Sequence, residues 1–390
     1  MMHTWLLPEY IEDVLPAEAQ RIETTRRRLL DLFRLHGYQL VMPPLLEYVE
    51  SLLTGTGHEM DIKTFKLVDQ ISGRLMGLRA DITPQVARID AHLLNRQGVT
   101  RLCYAGSVLH TLPAGVTRTR EPLQIGAELY GHAGLESDME IQQLMLKALQ
   151  LAGVEAVHLD LGHVAIFGSL IKYAGVPAEL ESELFRALQA KDVPAVQELA
   201  RPLENATRQA LALLPELYGG AEVLDVARRK LPDYPEIARA LSDLGSIAEK
   251  LQGAVVSFCL DLAELRGYHY HSGVVFAAYA PGWANAVALG GRYDEVGVAF
   301  GRARPATGFS MDLREISAAL PVAPLAAGIL APHVDDQALR VRIDALRAAG
   351  EMVVVDLPGH AAHRGELGCD RALQLRDGTW ELVNVEGWPQ

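Results

Sequence analysis

The chain has 390 residues, of which 49% are hydrophobic and 22% charged, and its formal net charge is −13. These values are typical of a globular protein of two or three domains, and they exclude disordered and fibrous classes. An acidic chain repels polyanions on average, so nucleic-acid binding would require a local basic patch. The one basic run, Arg26–Arg28, lies within a helical apolar pattern and is interpreted as a solvated helix face.

Cysteine usage and the N-terminus bear on location. Cys103, Cys259 and Cys369 lie far apart, which indicates a reducing compartment and no disulfide framework. The first residues lack a basic start and a long apolar run, and no stretch of about 18 apolar residues occurs. We therefore expect a cytoplasmic protein without a secretory signal or a membrane span.

The first predicted element is a helix from Pro16 to His36, followed by an apolar strand-like run that begins at Tyr38. Pro43 and Pro44 end this run because consecutive prolines remove two hydrogen-bond donors, which indicates a sheet edge or an interface.

Next along the chain, the pattern predicts a short strand, a turn at Ser72 and Gly73, a strand through Leu78, and a helix with Pro84 in its first turn. Residues 99–130 are predicted to form two strands around a Gly/Pro/Arg loop, and residues 136–152 an amphipathic helix.

Residues 177–251 are rich in Ala, Leu and Glu and predict an inserted all-helical module. Strand patterns return in "AVVSFCLDLAEL", "GVVFAAYA" and "ANAVALGGRYDE", and a helix is predicted from Met311 to Leu320. The stretch "PVAPLAAG" is predicted to be a linker to a small strand-helix-strand unit. We therefore expect two domains, 1–320 and 321–390, and an α+β fold with a mostly antiparallel sheet. No GxGxxG or GxxxxGK[ST] phosphate-binding loop is present.

The stretch "ELRGYHYHSG", residues 264–273, combines an arginine, tyrosines and histidines between glycines. In an extended segment, His269 and His271 would share one face while Tyr268 and Tyr270 take the other. A metal site lacks further ligands nearby, and structural histidines are an alternative. The mixture of groups favours a pocket for a small zwitterion.

A zwitterionic amino acid needs an anionic partner for its ammonium group. Asp81 in "LRADIT" is one candidate, although a turn or N-cap role explains it equally well. Glu128 in "LQIGAELYG" is flanked by apolar residues, and Gln124 lies on the same strand face. A buried carboxylate at Glu128 must have a partner.

Several motifs in this order resemble class II histidyl-tRNA synthetases over about residues 8–320: "LPEYIEDVLP", "PPLLEY", "GLRADITPQVARI", "LQIGAELYG", "LRGYHYHSGVVF", "GGRYDE" and "TGFSMDLREI". The resemblance implies a six-stranded antiparallel sheet flanked by helices, a helical insertion, and dimerisation near Pro43 and Pro44. It also implies a free-histidine pocket, with Asp81 and Thr83 at the ammonium, Gln124 and Glu128 on a strand, and Arg266, Tyr270 and His271 in the loop. His271 stands where the family usually has a second tyrosine, near the imidazole.

The sequence departs from this family where ATP binds. Adenylate formation requires fixed cations against the triphosphate. Leu109 takes the place of the first family arginine, with Thr111 and Leu112 replacing the Glu and Arg that follow it, and Arg314 and Glu315 stand in swapped order after Asp312. Because adjacent helix residues point about 100° apart, Arg314 cannot replace its neighbour. Arg118 and Arg120 remain in the loop before Gln124, but without their partners they are weak support for ATP binding.

The C-terminal unit is too short for a full anticodon-binding domain, and residues 321–390 carry six arginines and no lysine against ten acidic residues. A synthetase-like body without these functions resembles the regulatory subunits of ATP phosphoribosyltransferase. That resemblance implies no catalysis of its own and no cofactor or metal. It also implies assembly as a dimer within a hetero-oligomer with the short-form catalytic subunit, which needs this subunit for full activity and for feedback inhibition by histidine. A divergent histidyl-tRNA synthetase and another ATP-dependent amino-acid ligase are the alternatives.

Overall fold

The computed structural model describes residues 6–54, 58–113, 119–320 and 327–385. The chain forms two compact units that meet in sequence at Leu320 and Pro321. Most of the predicted linker "PVAPLAAG" and of the Gly/Pro/Arg loop centre, including Arg118, lies outside the described residues. Within the described ranges, no helix combines the length and the apolar character needed to cross a bilayer.

The elements of the first unit are numbered along the chain. The first thirteen are α1 Pro16–Leu35, β1 Gln39–Leu40, β2 Leu46–Tyr48, α2 Val49–Leu52, α3 His58–Lys63, β3 Phe65–Val68, β4 Leu75–Leu78, α4 Thr83–Arg88, β5 Thr100–Ser107, β6 Leu123–Tyr130, α5 Leu135–Leu151, β7 His158–His163 and α6 Ala165–Ala174. A π-helical turn, Ile89–Leu94, continues α4.

The rest of the first unit comprises α7 Ala178–Gln189, α8 Val193–Leu199, α9 Asn205–Leu213, β8 Tyr218–Gly219, α10 Glu222–Lys230, α11 Pro235–Leu251, β9 Ser257–Asp261, β10 Val274–Tyr279, β11 Ala288–Arg292, β12 Ala306–Asp312 and α12 Leu313–Ala319. The second unit comprises β13 Gly328–Pro332, α13 Gln337–Ala348, β14 Val353–Asp356, β15 Cys369–Arg376 and β16 Thr379–Asn384.

A nine-stranded sheet forms the centre of the first unit, in the order β1-β5-β6-β12-β11-β10-β7-β9-β8. The six strands from β5 to β7 in this order are all antiparallel to their neighbours, which confirms the predicted six-stranded sheet. The sheet extends beyond them because β1 and β9 add in parallel at the two sides and β8 pairs with β9. Strands β2, β4 and β3 form a separate small sheet.

Helices α1 and α5 pack on this sheet through apolar stripes at helical spacing. In α1 the buried residues are Ile22, Leu29 and Phe33, and the Phe33 ring meets Phe309 of β12 edge to face at 5.9 Å. The basic run of α1 is solvated as predicted, because Arg26 and Arg27 both pair with Glu23 on the helix surface.

The predicted helical insertion contains the five helices α7–α11, and α11 packs on α6 and β7. The insertion also supplies the two-residue strand β8 to the main sheet. This short strand is the one departure from an all-helical module among its described residues.

Two element predictions were wrong. The predicted helix from Met311 begins at Leu313, because β12 runs to Asp312, whose carboxylate caps the helix by accepting from the Arg314 N–H. The second unit is more than strand-helix-strand, since β15 and β16 form a hairpin beside β13.

Candidate functional site

Asp81 lies in the loop between β4 and α4, directly beside Gln124 of β6. Its Oδ1 accepts hydrogen bonds from the Gln124 Nε2 at 2.7 Å and from the Thr83 N–H at 3.1 Å. The Gln124 Oε1 in turn accepts from the Ile82 N–H at 2.9 Å. Asp81 therefore shapes the turn before α4, while its Oδ2 accepts no hydrogen bond from the described residues.

Glu128 is buried at the centre of a cluster of hydroxyl groups. Its Oε1 accepts from the Tyr104 hydroxyl at 3.0 Å and from the Thr83 hydroxyl at 3.2 Å. Its Oε2 accepts from the Tyr293 hydroxyl, and the Tyr293 and Tyr130 hydroxyl oxygens lie 3.3 Å apart. Because side chains alternate along a strand, Gln124 and Glu128 of β6 face the same side, as predicted.

The space for this carboxylate depends on a glycine in the neighbouring strand. Gly308 of β12 is paired with Glu128 of β6, and a Cβ added to Gly308 would lie 1.5 Å from the Glu128 Oε2. Gly126, two residues before Glu128, leaves room for the Tyr104 hydroxyl in the same way. The "QIG" and "TGF" glycines thus allow polar groups to enter a sheet interior.

Burial raises the pKa of Glu128 to about 8, and the negative charge of Asp81 adds to this effect while the hydroxyl donors oppose it. Its three hydrogen-bonding neighbours are hydroxyl groups rather than cations. A ligand ammonium group beside it would supply the missing positive charge and favour the ionised carboxylate.

The loop before β10 is compact rather than extended, so the predicted alternation of its side chains was wrong. The Tyr270 and His271 N–H groups both donate to the Gly267 carbonyl, and Gly267 adopts a φ of +65°. Tyr268 packs against Phe167, whereas His269 lies beside Phe185 of the helical insertion.

Tyr270 and His271 belong to the cluster around Glu128. The Tyr270 ring stacks on Tyr293 at 5.1 Å, and His271 meets the Tyr270 ring edge to face at 5.3 Å. The Tyr270 hydroxyl is buried and has no hydrogen-bond partner among the described residues. Burial lowers the pKa of His271 to about 4, so this imidazole is neutral near pH 7.

Arg266 makes its contacts outside the cluster around Glu128. Its Nη2 donates to the Tyr279 hydroxyl at 3.1 Å and lies 3.5 Å from the Glu264 carboxylate. The structure therefore brings together six of the seven predicted residues: Asp81, Thr83, Gln124, Glu128, Tyr270 and His271.

Sequence reasoning missed the tyrosines that enclose Glu128. Tyr293 lies in the quoted "GGRYDE" motif, and Tyr104 lies in the apolar strand β5. A tyrosine inside a buried strand needs a partner for its hydroxyl, and this requirement could have paired Tyr104 with a buried acid.

An acidic cavity lies beside Gln124 and includes residues of the "TGFSMDLREI" motif, in which the resemblance to synthetases implies ATP contacts. Asp312 and Glu315 line it, and burial raises the pKa of Asp312 to about 6. Arg314 instead donates to the backbone carbonyls of Glu121 and Glu12, each at 3.2 Å. Carboxylates in this position repel a triphosphate.

The second arginine left in the loop before β6 is also engaged by the backbone. Arg120 donates to the His110 carbonyl at 3.0 Å and to the Glu9 carbonyl at 3.3 Å. Across the described ranges, no group of three or more His, Cys, Asp or Glu side chains converges as a metal site.

The fold defines a protein of the class II histidyl-tRNA synthetase type, and the family profile "Histidyl-tRNA synthetase" matches residues 10–316. A second profile, "ATP phosphoribosyltransferase subunit HisZ C-terminal domain", matches residues 326–383. The chain is 62% identical to the ATP phosphoribosyltransferase regulatory subunit of Ralstonia pickettii (strain 12J), over 97% of this chain and 98% of that protein. It is 59% identical to the ATP phosphoribosyltransferase regulatory subunit of Methylobacillus flagellatus, over 98% of this chain and 99% of that protein. The chain therefore belongs to the family of ATP phosphoribosyltransferase regulatory subunits.

Solved structures agree with this assignment. An ATP phosphoribosyltransferase regulatory subunit/histidyl-tRNA synthetase from Bacillus halodurans C superposes with a TM-score of 0.80 at 27% identity, covering 93% of this chain and 96% of that one. Histidyl-tRNA synthetase from Nostoc sp. PCC 7120 superposes with a TM-score of 0.77 at 17% identity, covering 98% of this chain and 97% of that one. This similarity shows the shared fold.

Proposed function

We propose that this protein is a regulatory subunit without catalytic activity of its own, acting in the first step of histidine biosynthesis. It assembles with the short-form catalytic subunit of ATP phosphoribosyltransferase, activates it, and transmits feedback inhibition by histidine. The observation that carries this proposal is the combination of an intact polar cluster around Glu128 with an acidic cavity where ATP would require cations.

The proposed ligand of the Glu128 cluster is free histidine. The ammonium group would lie between the Asp81 Oδ2 and Glu128, and the buried Tyr270 hydroxyl would gain a partner from the imidazole. Neutral His271 packs against the Tyr270 ring and would accommodate an uncharged ligand imidazole. Arg266 would have to leave Glu264 to reach the ligand carboxylate, so its part in this pocket requires a movement of the loop.

Regulation follows if histidine binds two states of the assembly with different affinity. The turn that carries Tyr270 is held by backbone bonds to Gly267, and Tyr268 and His269 both contact Phe185 of the helical insertion. Ligand contacts at Tyr270 would therefore bias the position of this turn and of the insertion beside it.

The assembly is expected to contain dimers of this chain, with the region around Pro43 and Pro44 as the interface. Apolar side chains there are unusually exposed: Met42 at 84% and Leu40 at 50%. We further propose a cytoplasmic location, as for biosynthesis of an amino acid, and no nucleic-acid or membrane partner. The acidic net charge of −13 is the property that disfavours nucleic acid.

The second candidate is a divergent histidyl-tRNA synthetase, because residues 10–316 of the first unit match that family. Leu109 in place of an arginine and Glu315 in the acidic cavity disfavour it, and they equally disfavour another ATP-dependent amino-acid ligase.

Histidine-dependent exchange of labelled pyrophosphate into ATP distinguishes the two functions. We expect no exchange above a protein-free control. Exchange at the rate of an authentic histidyl-tRNA synthetase assayed in parallel would overturn the regulatory proposal.

Reconstitution with the short-form catalytic subunit of the same organism tests the regulatory role directly. Adding this chain should raise phosphoribosyl transfer from ATP and make it sensitive to histidine. Glu128→Gln should form the complex, measured by size-exclusion chromatography, but lose histidine sensitivity. A Glu128→Gln complex that histidine inhibits as strongly as the wild type would place the inhibitory site elsewhere.

A further inference from the structure

A second cavity, of about 500 Å³, lies across the sheet from the Glu128 cluster. Side chains alternate along the end of β11, so Tyr293 points to Glu128 while Arg292 and Asp294 line this cavity. Helix α11 of the insertion closes its other side. Its volume lies in the range of small-molecule sites, about 300–1,000 Å³.

His163 presents a buried hydrogen-bond donor to this cavity. It is the last residue of β7 and only 8% exposed. Its Nδ1 accepts from the Ala165 N–H at 3.3 Å, so the ring proton is on Nε2. That Nε2 lies 4.0 Å from the Asp243 Oδ2, too far for a hydrogen bond, and has no other partner in the described part of the chain.

Two opposite charges one helical turn apart on α11 also line the cavity. Arg239 makes no hydrogen bond or ion pair within the residues that the structure describes. Asp243 has His163 at 4.0 Å as its one close polar partner there, and the charges of Arg239 and Arg292 act on its carboxyl from farther away. By contrast, Glu236 is already bound by Lys172 and Tyr173.

The other charged groups at the cavity already have partners. Arg292 is buried and donates to Asp138 and Asp294. Ala165 begins α6, which has no side-chain cap, so the first-turn N–H groups of this helix add positive potential beside His163. The groups left to bind a ligand are thus one anion, one cation and a set of N–H donors.

This arrangement selects among ligand classes. A simple anion would be repelled by Asp243, and a simple cation by Arg239. In an α-amino acid the ammonium and carboxylate are attached to one carbon, which matches an acceptor and a donor 4.0 Å apart at Asp243 and His163. We propose that this cavity is a second binding site, for a free α-amino acid, with the ammonium at Asp243 and the carboxylate at His163, Arg239 and the start of α6.

The site is distinct from the proposed histidine pocket and does not depend on it. Binding is measured by ligand-observed NMR and calorimetry on the full chain, with each of the twenty proteinogenic amino acids as probe. Asp243→Asn and Arg239→Gln should each lower the affinity for at least one amino acid about tenfold or more, since each removes a charged hydrogen bond. Arg229→Gln is the matched control, because it removes an exposed arginine of the same insertion on α10.

Glu128→Gln separates the two sites. The amino acid bound in this cavity should keep its affinity for the Glu128→Gln protein and lose it for the Asp243→Asn protein. If that amino acid is histidine, the wild type should bind two histidine molecules per chain. The proposal is overturned if no amino acid binds, or if binding responds only to Glu128→Gln while folded Asp243→Asn, checked by circular dichroism, binds like the wild type.

Discussion

Glu128 shows how one residue can link ligand binding to stability. The folded protein holds a proton on this carboxyl up to about pH 8, whereas the unfolded chain releases it near its ordinary pKa of 4.5. The folded state therefore binds more protons between these values, and the free energy of unfolding falls as the pH rises through this window. Each unit of pKa shift corresponds to about 1.4 kcal/mol, so the loss amounts to a few kcal/mol.

Glu128→Gln should remove this dependence, because the amide does not titrate. In denaturant unfolding at pH 5 to 8 without histidine, we expect a smaller decrease in stability for the variant than for the wild type. Glu183→Gln, at an exposed carboxylate on α7, is the control and should follow the wild type. Identical pH slopes for wild type and Glu128→Gln would show that this carboxyl is ionised in the folded protein.

Gly308→Ala tests the space that the carboxylate occupies. The added methyl group would lie 1.5 Å from the Glu128 Oε2 and must displace it, so histidine binding should be lost, with a stability cost of about 1–3 kcal/mol. Gly98→Ala is the matched control, since nothing lies within 4 Å of its added Cβ. Calorimetric titration with histidine measures the difference, and wild-type affinity in Gly308→Ala would contradict the proposed pocket.

The residues of the proposed pocket were predictable to different degrees. Asp81, Thr83, Gln124 and Glu128 lie in short motifs whose spacing and burial constrain them, and hydrogen bonds connect Thr83 with Asp81 and Glu128 and Gln124 with Asp81. The side-chain direction of Arg266 depends on a turn that the sequence pattern did not indicate.

At the scale of elements, buried ion pairs connect segments that are distant in sequence. Arg304, just before β12, donates to both oxygens of Asp90 in the π-helical turn after α4, at 2.8 and 2.9 Å. Their side chains are 6% and 2% exposed. Pairs of this kind fix the position of β12 relative to α4, and therefore of Gly308 relative to Thr83.

Arg304→Met should destabilise the protein by about 3–5 kcal/mol, because it leaves Asp90 buried without its partner. Adding Asp90→Asn should recover part of this loss. Arg26→Met removes a surface pair with Glu23 and should cost less than about 1 kcal/mol. Chemical denaturation of the four proteins provides the values, and equal losses for Arg304→Met and Arg26→Met would contradict the assigned role of the buried pair.

Strands with strong apolar patterns were predictable, whereas their partners and some turns were not. The strand β12 was missed because "ATGFSMD" contains a glycine and polar residues in place of a clear alternation. The β15–β16 hairpin had a usable signal, since Asp377 and Gly378 both have positive φ, as an Asp-Gly hairpin turn requires. The pair of Arg304 and Asp90 spans 214 residues, and one sequence contains no local sign of it.

At the scale of the whole molecule, self-association is the property that an exposed apolar surface indicates. Met42→Glu should shift the protein from dimer to monomer in sedimentation velocity, because it places a charge in the proposed interface beside Pro43. Val256→Glu, at an apolar residue 62% exposed elsewhere in the first unit, should remain dimeric. A Met42→Glu protein that sediments like the wild type would exclude this surface as the interface.

The tyrosines around Glu128 give the protein an optical property. Burial raises the pKa of Tyr104, Tyr130, Tyr270 and Tyr293 well above the ordinary value, and the charge of Glu128 adds to the effect. These are four of the twelve tyrosines in the chain. In an alkaline titration followed by tyrosinate absorbance, the exposed phenols ionise first. These four contribute only once the sheet opens, as do Tyr38 and Tyr268, whose pKa values are also raised by burial. The last part of the absorbance change therefore reports unfolding of the first unit, including the Glu128 cluster, without an added label.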